Sequence, residues 1–431
     1  MTAIQQTISP ISLPSKEQFQ MDDATTEVSG VHLSTEVAIR GAALPSTQAA
    51  VLTPIVGKEL DLQYTEKLPM RPPGKDEVTV RIAWTGLEIN ITVIIKDACF
   101  SLGPEPGFPS RDHVAGHEGI GIVVRSRDQS LMHRPVATRY IGSTCGSCHY
   151  CVKGLIESCP NQTNFPKQHG GTYQQYITVP WSSLMPLADW VFGESSKISP
   201  ALYAGALCSG SAALKSLRSA NVRPGDVVII SGILGAIGHF AGMIAKRIFQ
   251  ARVIGVDWDW KYQQLPRSFA GENIYDRFVP ACVTPNDQIP WDKFLKAILR
   301  ACNELRGAKL DDDTLMGDTV IVSASSTSGF DRLSDLVSDG GSIICVGVPR
   351  GECSVKVPLA TLVERQLRLQ GTLMGGWEEA RQVMDWIRSG LIKPEVTEIR
   401  LNDVGKYLSD CIDFKTIGKV VVRVNDHQSS A

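Results

Sequence analysis

Two short apolar runs with a helical stretch between them are the clearest hydrophobic pattern in the chain. Asp226 to Ser231 holds four consecutive apolar residues between its ends, which is typical of a parallel strand buried on both faces. A proline-free stretch from Ala236 to about Gln250 predicts a helix, and Arg252 to Asp257 predicts the next strand. This order predicts one unit of a parallel α/β sheet.

Three glycines, Gly232, Gly235 and Gly238, lie where the first of these strands turns into the helix. Glycines at such a turn let the backbone approach a pyrophosphate, and the helix begins with N–H groups that can bind it. Asp257 ends the second strand, where a carboxylate can accept from both ribose hydroxyls. The pattern therefore favours a dinucleotide site over a glycine turn without a ligand. Asp257 repels a 2′-phosphate and favours NAD(H) over NADP(H), and the nearby Lys261 weakens that preference.

Later segments extend the same sheet. Apolar runs at Asp318 to Ser323 and Ser342 to Gly347 predict two more strands. Trp291 to Leu305 has helical spacing of apolar residues, and Phe330 to Val337 predicts a short helix between the two strands. We therefore predict a doubly wound α/β sheet.

Composition and charge are ordinary for a globular protein. The 431 residues are 43% hydrophobic and 20% charged, with 43 basic against 45 acidic residues and a net charge of −2. This balance gives no indication of a nucleic-acid partner or of an anionic membrane surface. The apolar stretch from Val227 to Ala245 contains four glycines and His239, so a buried strand and helix explain it better than a membrane span.

The first residues form a separate segment. Residues 1–45 are polar and interrupted by prolines and glycine, without the basic start and apolar core of a signal peptide. We expect a disordered N-terminal arm. The absence of a leader and the eleven cysteines favour a reducing, cytoplasmic compartment.

Four cysteines lie within fifteen residues at Cys145, Cys148, Cys151 and Cys159. Thiolates at this spacing can converge on one tetrahedral Zn²⁺ ion, and closed sites of four thiolates are structural. Two disulfides in a secreted domain are the alternative. A long chain without a secretory leader favours zinc.

A third motif, Gly116-His117-Glu118, places a histidine and an acid beside glycine and suits a metal ligand on a tight loop. Together with the cysteines, the segment Leu207 to Gly210, the glycine turn and the ending Gly418 to Val422, it resembles the zinc-dependent alcohol dehydrogenases. These belong to the medium-chain dehydrogenase/reductase superfamily, and fungal alcohol dehydrogenase-like members are especially similar. The resemblance covers about Ser46 to Val424.

The resemblance implies a GroES-like catalytic domain that is interrupted by a Rossmann NAD(P)-binding domain. The predicted bounds are 46–205 for the first part of the catalytic domain, with a zinc lobe at 140–165, 206–355 for the Rossmann domain, and 356–431 for the C-terminal return to the catalytic domain. The resemblance also implies a homo-oligomer, a dimer or tetramer formed through the edge of the Rossmann sheet.

The resemblance also assigns roles to residues. His117 and Cys208 match two ligands of the family's catalytic zinc, and Glu118 matches an acid that is an alternate ligand or a hydrogen-bonding partner. Lys419 matches a basic residue that contacts the cofactor pyrophosphate. The expected cofactor-binding residues are Gly232, Gly235, Ala236, Ile237, Gly238, Asp257, Lys261, Val346 and Lys419.

The chain departs from the family at the first zinc ligand. Where the family has a cysteine, this chain has Glu88, and Asn90 replaces the hydroxyl residue that passes the alcohol proton outward. Glu88 could complete a Glu/His/Cys zinc site, because carboxylate oxygen binds Zn²⁺ at about 2.0–2.2 Å. Two further readings are a cleft without catalytic zinc and a site completed by Cys99. In a fourth, Glu88 faces solvent or pairs with Lys96.

These observations predict an NAD(H)-dependent oxidoreductase that moves hydride between nicotinamide and an alcohol or carbonyl carbon of a small molecule. One alternative is a catalytic-zinc-free reductase of a conjugated or iminium acceptor. The other is a non-redox protein that reuses the fold.

Overall fold

The structure is a computed structural model. It describes residues 41, 43–52, 55–56, 59–60, 62–87, 114–193, 198–265, 269, 274–283, 289–307, 315–349 and 352–425. Glu88, Asn90, Lys96, Cys99 and nearly all of the predicted N-terminal arm lie outside these residues.

The described strands are numbered in chain order. They are β1 (Thr47–Leu52), β2 (Ile55–Val56), β3 (Glu59–Leu60), β4 (Gln63–Pro69), β5 (Glu77–Gly86), β6 (Gly119–Ser126), β7 (Pro135–Ala137), β8 (Ile141–Ser143), β9 (Thr163–Asn164), β10 (Tyr176–Pro180), β11 (Met185–Pro186), β12 (Val227–Ser231), β13 (Arg252–Asp257), β14 (Arg277–Pro280), β15 (Gly317–Val322), β16 (Val337–Cys345), β17 (Arg368–Gly371), β18 (Val396–Arg400) and β19 (Lys419–Arg423).

The described α-helices are numbered in the same way. They are α1 (His149–Val152), α2 (Ala201–Ala204), α3 (Ser211–Ser219), α4 (Ala236–Arg247), α5 (Asp259–Gln263), α6 (Trp291–Arg306), α7 (Leu359–Glu364), α8 (Trp377–Arg388) and α9 (Val404–Ile412). In the part of the chain that the structure describes, every helix is too short or too polar to cross a lipid bilayer.

A six-stranded parallel sheet confirms the predicted doubly wound fold. Its order is β14-β13-β12-β15-β16-β17, the arrangement of a dinucleotide-binding sheet, in which strand order reverses beside the first strand. β12 is fully buried over Val227 to Ile230 because helices cover both faces of the sheet. The predicted strand and helix over Val227 to Ala245 are confirmed as β12 and α4.

Two predictions for this region need correction. The predicted end of the Rossmann domain at 355 is one strand too early, because β17 pairs with β16 in the same parallel sheet. The predicted helix from Phe330 to Val337 is wrong. The chain there forms two 3-10 turns, Thr327–Phe330 and Leu333–Leu336, separated by an extended Asp331 and by Arg332 with φ of 51°.

A second sheet gathers strands from both ends of the chain. Its order is β11-β7-β6-β5-β19-β18, and β10 also pairs with β5. β19 pairs with β5 through Val421, Val422 and Arg423, so the C-terminal return completes a sheet that begins before the parallel one. This pairing brings Lys419 beside the segment that precedes β6.

Candidate active site and cofactor groove

His117, Glu118 and Cys208 come together from two distant segments. One potential ligand atom of each lies within 4.8 Å of those of the other two. His117 and Glu118 are buried and precede β6, and Gly116 before them has φ of 98°, a backbone conformation that favours glycine. The predicted pair of metal ligands is therefore adjacent in space.

Cys208 lies in a single π-helical turn, Ala206–Gly210, between α2 and α3. Such turns widen a helix locally and are frequent at functional sites. The buried Arg139 contacts this turn, since its Nε donates to the carbonyl oxygen of Leu207 at 2.9 Å. Arg139 also donates to the hydroxyl of Ser211 and to the carbonyl of Gly375, so one side chain joins three segments around Cys208.

Burial lowers the pKa of Arg139 to about 10, because a guanidinium away from water is less stable as a cation. The negative form of Cys208 is the largest of the charges that oppose this shift. The guanidinium remains a cation at neutral pH and favours the thiolate of Cys208, the form that binds metals.

Glu118 has a buried cationic partner in Lys419. The Nζ atom of Lys419 donates to Oε1 of Glu118 at 2.7 Å and to the hydroxyl of Ser209 at 3.2 Å. Both charged side chains are fully buried. A Cβ at Gly86 would lie 2.4 Å from Oε2 of Glu118, so a glycine at the end of β5 leaves space for this carboxylate. Nε2 of His117 is 3.7 Å from Oε1, which couples the ion pair to the predicted zinc ligand.

A groove runs along the carboxyl ends of β12, β13 and β15, where open α/β sheets bind their ligands. Gly232, Gly235, Asp257 and Lys261 line it, together with Trp258. A second part of the groove shares Gly235, Lys261, Ser323, Ser325 and Phe414 with the first part. The rest of its lining includes Leu87, Ala236, Ile237, Gly347, Val348, Gly418 and Val420. Leu87 and Val420 directly follow Gly86 and Lys419, so the groove ends beside Glu118.

The glycines of this groove have different physical roles. Gly232 has φ of 81°, and a Cβ there would lie 2.9 Å from the backbone nitrogen of Ala324. Gly238 allows α4 to pack on the turn, because a Cβ added at this position would lie 2.0 Å from the carbonyl oxygen of Gly232. Gly235 precedes the first turn of α4, whose N–H groups can bind a phosphate.

Asp257 is held in place at the end of β13. Its Oδ2 accepts from the backbone N–H of Leu234 at 2.9 Å, and its Oδ1 accepts from that of Trp258 at 2.8 Å. A carboxylate oxygen can accept more than one hydrogen bond, so both can still bind ribose hydroxyls. The glycine turn, the helix N-terminus and this fixed acid are the groups that bind a dinucleotide in such sheets.

The four cysteines Cys145, Cys148, Cys151 and Cys159, which we call the cysteine ladder, also converge. Their sulfur atoms lie within 4.8 Å of one another, and Sγ of Cys145 is 3.6 Å from that of Cys159 and 4.0 Å from that of Cys151. Sulfurs about 2.3 Å from one tetrahedral ion would be about 3.8 Å apart. Backbone N–H groups of Ser147 and Cys148 lower the pKa of Cys145 to about 6. All four thiols are free, which fits a zinc site and not the disulfide alternative.

Two family models match the chain. The alcohol dehydrogenase GroES-like domain matches residues 74–189, and the zinc-binding dehydrogenase domain matches residues 236–389. Together they span more than half of the 431 residues.

The chain is a zinc-type alcohol dehydrogenase-like protein of the medium-chain dehydrogenase/reductase superfamily.

Similar proteins include alcohol dehydrogenase 2 of Emericella nidulans, which is 27% identical over 363 residues, covering 83% of this chain and 92% of that protein. The alcohol dehydrogenase of Geobacillus stearothermophilus is 25% identical and covers 86% of this chain and 97% of its own. Among solved structures, acetophenone reductase from Geotrichum candidum in complex with NAD has a TM-score of 0.66 at 23% identity. It covers 90% of this chain and 100% of its own.

Within this zinc-type dehydrogenase, the predicted cofactor residues divide into two groups. Gly232, Gly235, Ala236, Ile237, Asp257 and Lys261 line the groove. Three others are buried beneath the surface of the groove: Gly238, Val346 and Lys419. The groove is lined near them by Gly347, Val348, Gly418 and Val420. The contact of Lys419 with a pyrophosphate stays a prediction, since its ammonium group binds Glu118 in this structure.

Sequence reasoning missed other residues of the groove. Ser323 and Ser325 follow β15 and line both parts of it. The rule that ligands bind at the carboxyl ends of parallel strands could have found them. Phe414 of the groove and Arg139 beside Cys208 had no such signal, because their positions depend on how the C-terminal return and α3 pack in three dimensions.

Proposed function

We propose that this alcohol dehydrogenase-like oxidoreductase uses NAD(H) to interconvert an alcohol and a carbonyl compound bound beside His117 and Cys208. The observation that carries the proposal is the continuity of the groove. Its two parts share Gly235, Lys261, Ser323, Ser325 and Phe414. The lining reaches Leu87 and Val420, which follow Gly86 and Lys419 in the chain, and these two residues both bind Glu118 beside His117. A dinucleotide that binds Asp257 through its adenosine ribose would direct its nicotinamide end toward the metal ligands.

In the reductive direction, hydride leaves C4 of the reduced nicotinamide and bonds to the carbonyl carbon. The carbonyl oxygen takes a proton, so NADH is oxidised and an alcohol forms. A zinc ion bound by His117 and Cys208 would act as a Lewis acid that polarises the substrate oxygen.

The described residues support this chemistry by position and charge. Arg139 fixes the turn that carries Cys208 and favours its thiolate. Lys419 neutralises Glu118, so the carboxylate beside His117 brings no uncompensated charge into the buried site. Asp257 offers two fixed acceptors to a ribose and would repel a 2′-phosphate, which supports NAD(H) over NADP(H).

A reductase without catalytic zinc is the second candidate. Among the described residues, the site offers only His117, Glu118 and Cys208 as ligands, and Glu118 already binds Lys419. If no fourth group completes the shell, hydride would pass to an acceptor that is already polarised, such as an enone or an iminium ion.

One experiment separates the two candidates. Zinc per chain is measured by elemental mass spectrometry, and NADH oxidation is followed with aldehydes, ketones and enones. Wild type and His117→Ala are compared, and Cys353→Ser serves as a control outside both cysteine sites. The proposal expects two zinc ions and carbonyl reduction in wild type, and one zinc ion with at least a hundredfold lower kcat/KM in His117→Ala. One zinc ion in wild type, with enone reduction that His117→Ala retains, would establish the second candidate instead.

We also propose a homo-oligomer formed through the edge of the parallel sheet. β17 is one of the two edge strands of this sheet, and the exposed apolar residues around it are Leu359, Val363, Leu369 and Leu373. An exposed apolar edge of this kind favours pairing with a second copy. Light scattering of wild type and Leu369→Lys would test it, since a lysine on the edge should reduce the measured mass. A cytoplasmic location remains a prediction.

A further inference from the structure

Phe414 has a backbone conformation that its residue type disfavours. Its φ is 59°, and it lies two residues after the end of α9, with its N–H donating to the carbonyl oxygen of Cys411 at 3.1 Å. Helices commonly end with a glycine in this left-handed conformation, because a side chain there clashes with the backbone. Among the described residues with positive φ, Phe414 alone carries a phenyl ring. Strained positions of this kind concentrate at ligand-binding sites.

The ring of Phe414 lies in the wall of the cofactor groove. Its centroid is 5.2 Å from that of Trp258, and the two planes meet at 78°, an edge-to-face arrangement. Phe414 lines the part of the groove next to Asp257 and also the part that leads to Val420. It therefore stands where the two parts meet.

The segment that carries this ring is fastened to the glycine turn. The N–H of Gly418 donates to the carbonyl oxygen of Leu234 at 2.8 Å, and the N–H of Leu234 donates to Asp257. The position of Phe414 is thereby linked to the carboxylate predicted to bind ribose. The ring belongs to the C-terminal return, and Trp258 directly follows β13 of the parallel sheet. Their contact therefore joins the catalytic and the nucleotide-binding parts of the chain across the groove.

We propose that Phe414 is a cofactor-binding residue that covers bound NAD(H) from the side of the catalytic domain. With Trp258 it forms an aromatic wall, which packs on the dinucleotide and excludes water from the hydrogen bonds of Asp257. Shielding from water strengthens such hydrogen bonds. The left-handed backbone at Phe414 is retained because it directs the ring into the groove. This inference rests on the proposed use of NAD(H).

The test compares variants that separate the ring from the strain. Phe414→Gly removes both, and Phe414→Leu keeps an apolar side chain in the strained conformation. Asn221→Gly is a matched control, because the exposed Asn221 has φ of 55° and lies two residues after the end of α3. Its backbone N–H donates to the carbonyl oxygen of Arg218, as that of Phe414 does to the carbonyl oxygen of Cys411. The Kd for NADH is measured by titration calorimetry on the full chain, and Tm is measured without cofactor.

Phe414→Gly is expected to raise the Kd for NADH about three- to tenfold, the range of one aromatic contact, while Tm stays unchanged or rises because strain is relieved. Phe414→Leu should bind within about threefold of wild type, and Asn221→Gly should leave the Kd unchanged. A Kd for Phe414→Gly within the error of wild type would overturn the inference and leave the proposed function intact. A weaker Kd in both Phe414 variants with equal losses of Tm would show a structural role and overturn it as well. Wild type that binds neither NADH nor NADPH would overturn both.

Discussion

The Nζ atom of Lys419 lies 2.7 Å from Oε1 of Glu118, and neither side chain is exposed. The two residues are 301 positions apart in the chain. Burying a lone carboxylate or ammonium ion away from water costs several kcal/mol, and the attraction between the two charges offsets that cost. The pair therefore ties the last strand of the catalytic sheet to the segment that carries the predicted zinc ligand.

Lys419→Met should destabilise the protein strongly, because it leaves the carboxylate of Glu118 buried without its cation. The expected loss is about 3–5 kcal/mol in the free energy of unfolding, measured by urea denaturation. The double variant Glu118→Gln with Lys419→Met should recover much of that loss. Lys415→Met is a control, since its exposed pair with Asp413 contributes little to stability. Equal effects of the Lys419 and Lys415 variants would contradict the structural role of the buried pair.

Cys148→Ser should remove one zinc ion per chain and lower Tm, because three thiolates hold the ion of the zinc lobe less tightly than four. Elemental mass spectrometry and a thermal melt measure the two effects. The exposed Cys353 offers a matched control in Cys353→Ser, which should keep both zinc content and Tm. Wild-type Tm in Cys148→Ser would mean that the ladder does not support the fold.

Asp257→Ala should change cofactor preference. Losing charge-assisted hydrogen bonds to ribose costs about 1.5–3 kcal/mol, so the KM for NADH should rise roughly ten- to a hundredfold. The kcat/KM for NADPH should improve relative to NADH, since the repulsion of a 2′-phosphate is gone. Asp257→Asn isolates the charge, because its amide oxygen can keep one of the bonds to Leu234 and Trp258. An unchanged ratio of NADPH to NADH would remove Asp257 from the cofactor site.

His239 should make stability depend on acidity. Its pKa is lowered to about 4, chiefly by burial and also by the nearby charge of Lys419, while the bond from its Nδ1–H to the carbonyl oxygen of Gly235 opposes the shift. Between about pH 6.5 and pH 4 the unfolded chain binds a proton at this ring and the folded protein does not. The contribution of the neutral His239 ring to the free energy of unfolding is therefore complete above pH 6.5. The free energy of unfolding falls by up to about 3 kcal/mol as the pH drops to 4.

His239→Gln tests this dependence, because the variant keeps every other titrating group. Unfolding free energies of both proteins are measured from pH 7 to pH 4.5, and their difference isolates the ring. A difference that stays constant over this range would show that His239 is not held neutral.

Local signals predicted the parallel sheet well and the active site only in part. β12, α4 and β13 match their predicted spans closely because a fully apolar strand and a proline-free helix have few alternatives. The helix predicted at Phe330 failed, since Arg332 in the left-handed conformation interrupts a segment whose composition suited a helix. Helical propensity is a weak prior that tertiary packing overrides.

The placement of side chains around the metal pair could not be read from spacing. Sequence predicted that His117 and Cys208 meet, through the family resemblance. The orientation of the Lys419 side chain toward Glu118 depends on how β19 aligns with β5, and the burial of Arg139 beside Leu207 depends on how the segment before α3 packs. Such alignments join residues more than 300 positions apart, and no local pattern encodes them.

The pairing of β19 with β5 has a consequence for synthesis of the protein. Contacts between residues so distant in sequence form late, and domains generally fold as the chain leaves the ribosome. The catalytic domain therefore cannot complete its sheet during synthesis until the whole nucleotide-binding domain has emerged and Lys419 follows it. Until then Glu118 lacks its cation. A premature stop codon just before Gly418 would spare every described ladder cysteine and glycine of the dinucleotide turn. It would still leave a chain whose central charge is unneutralised, a substrate for proteolytic quality control.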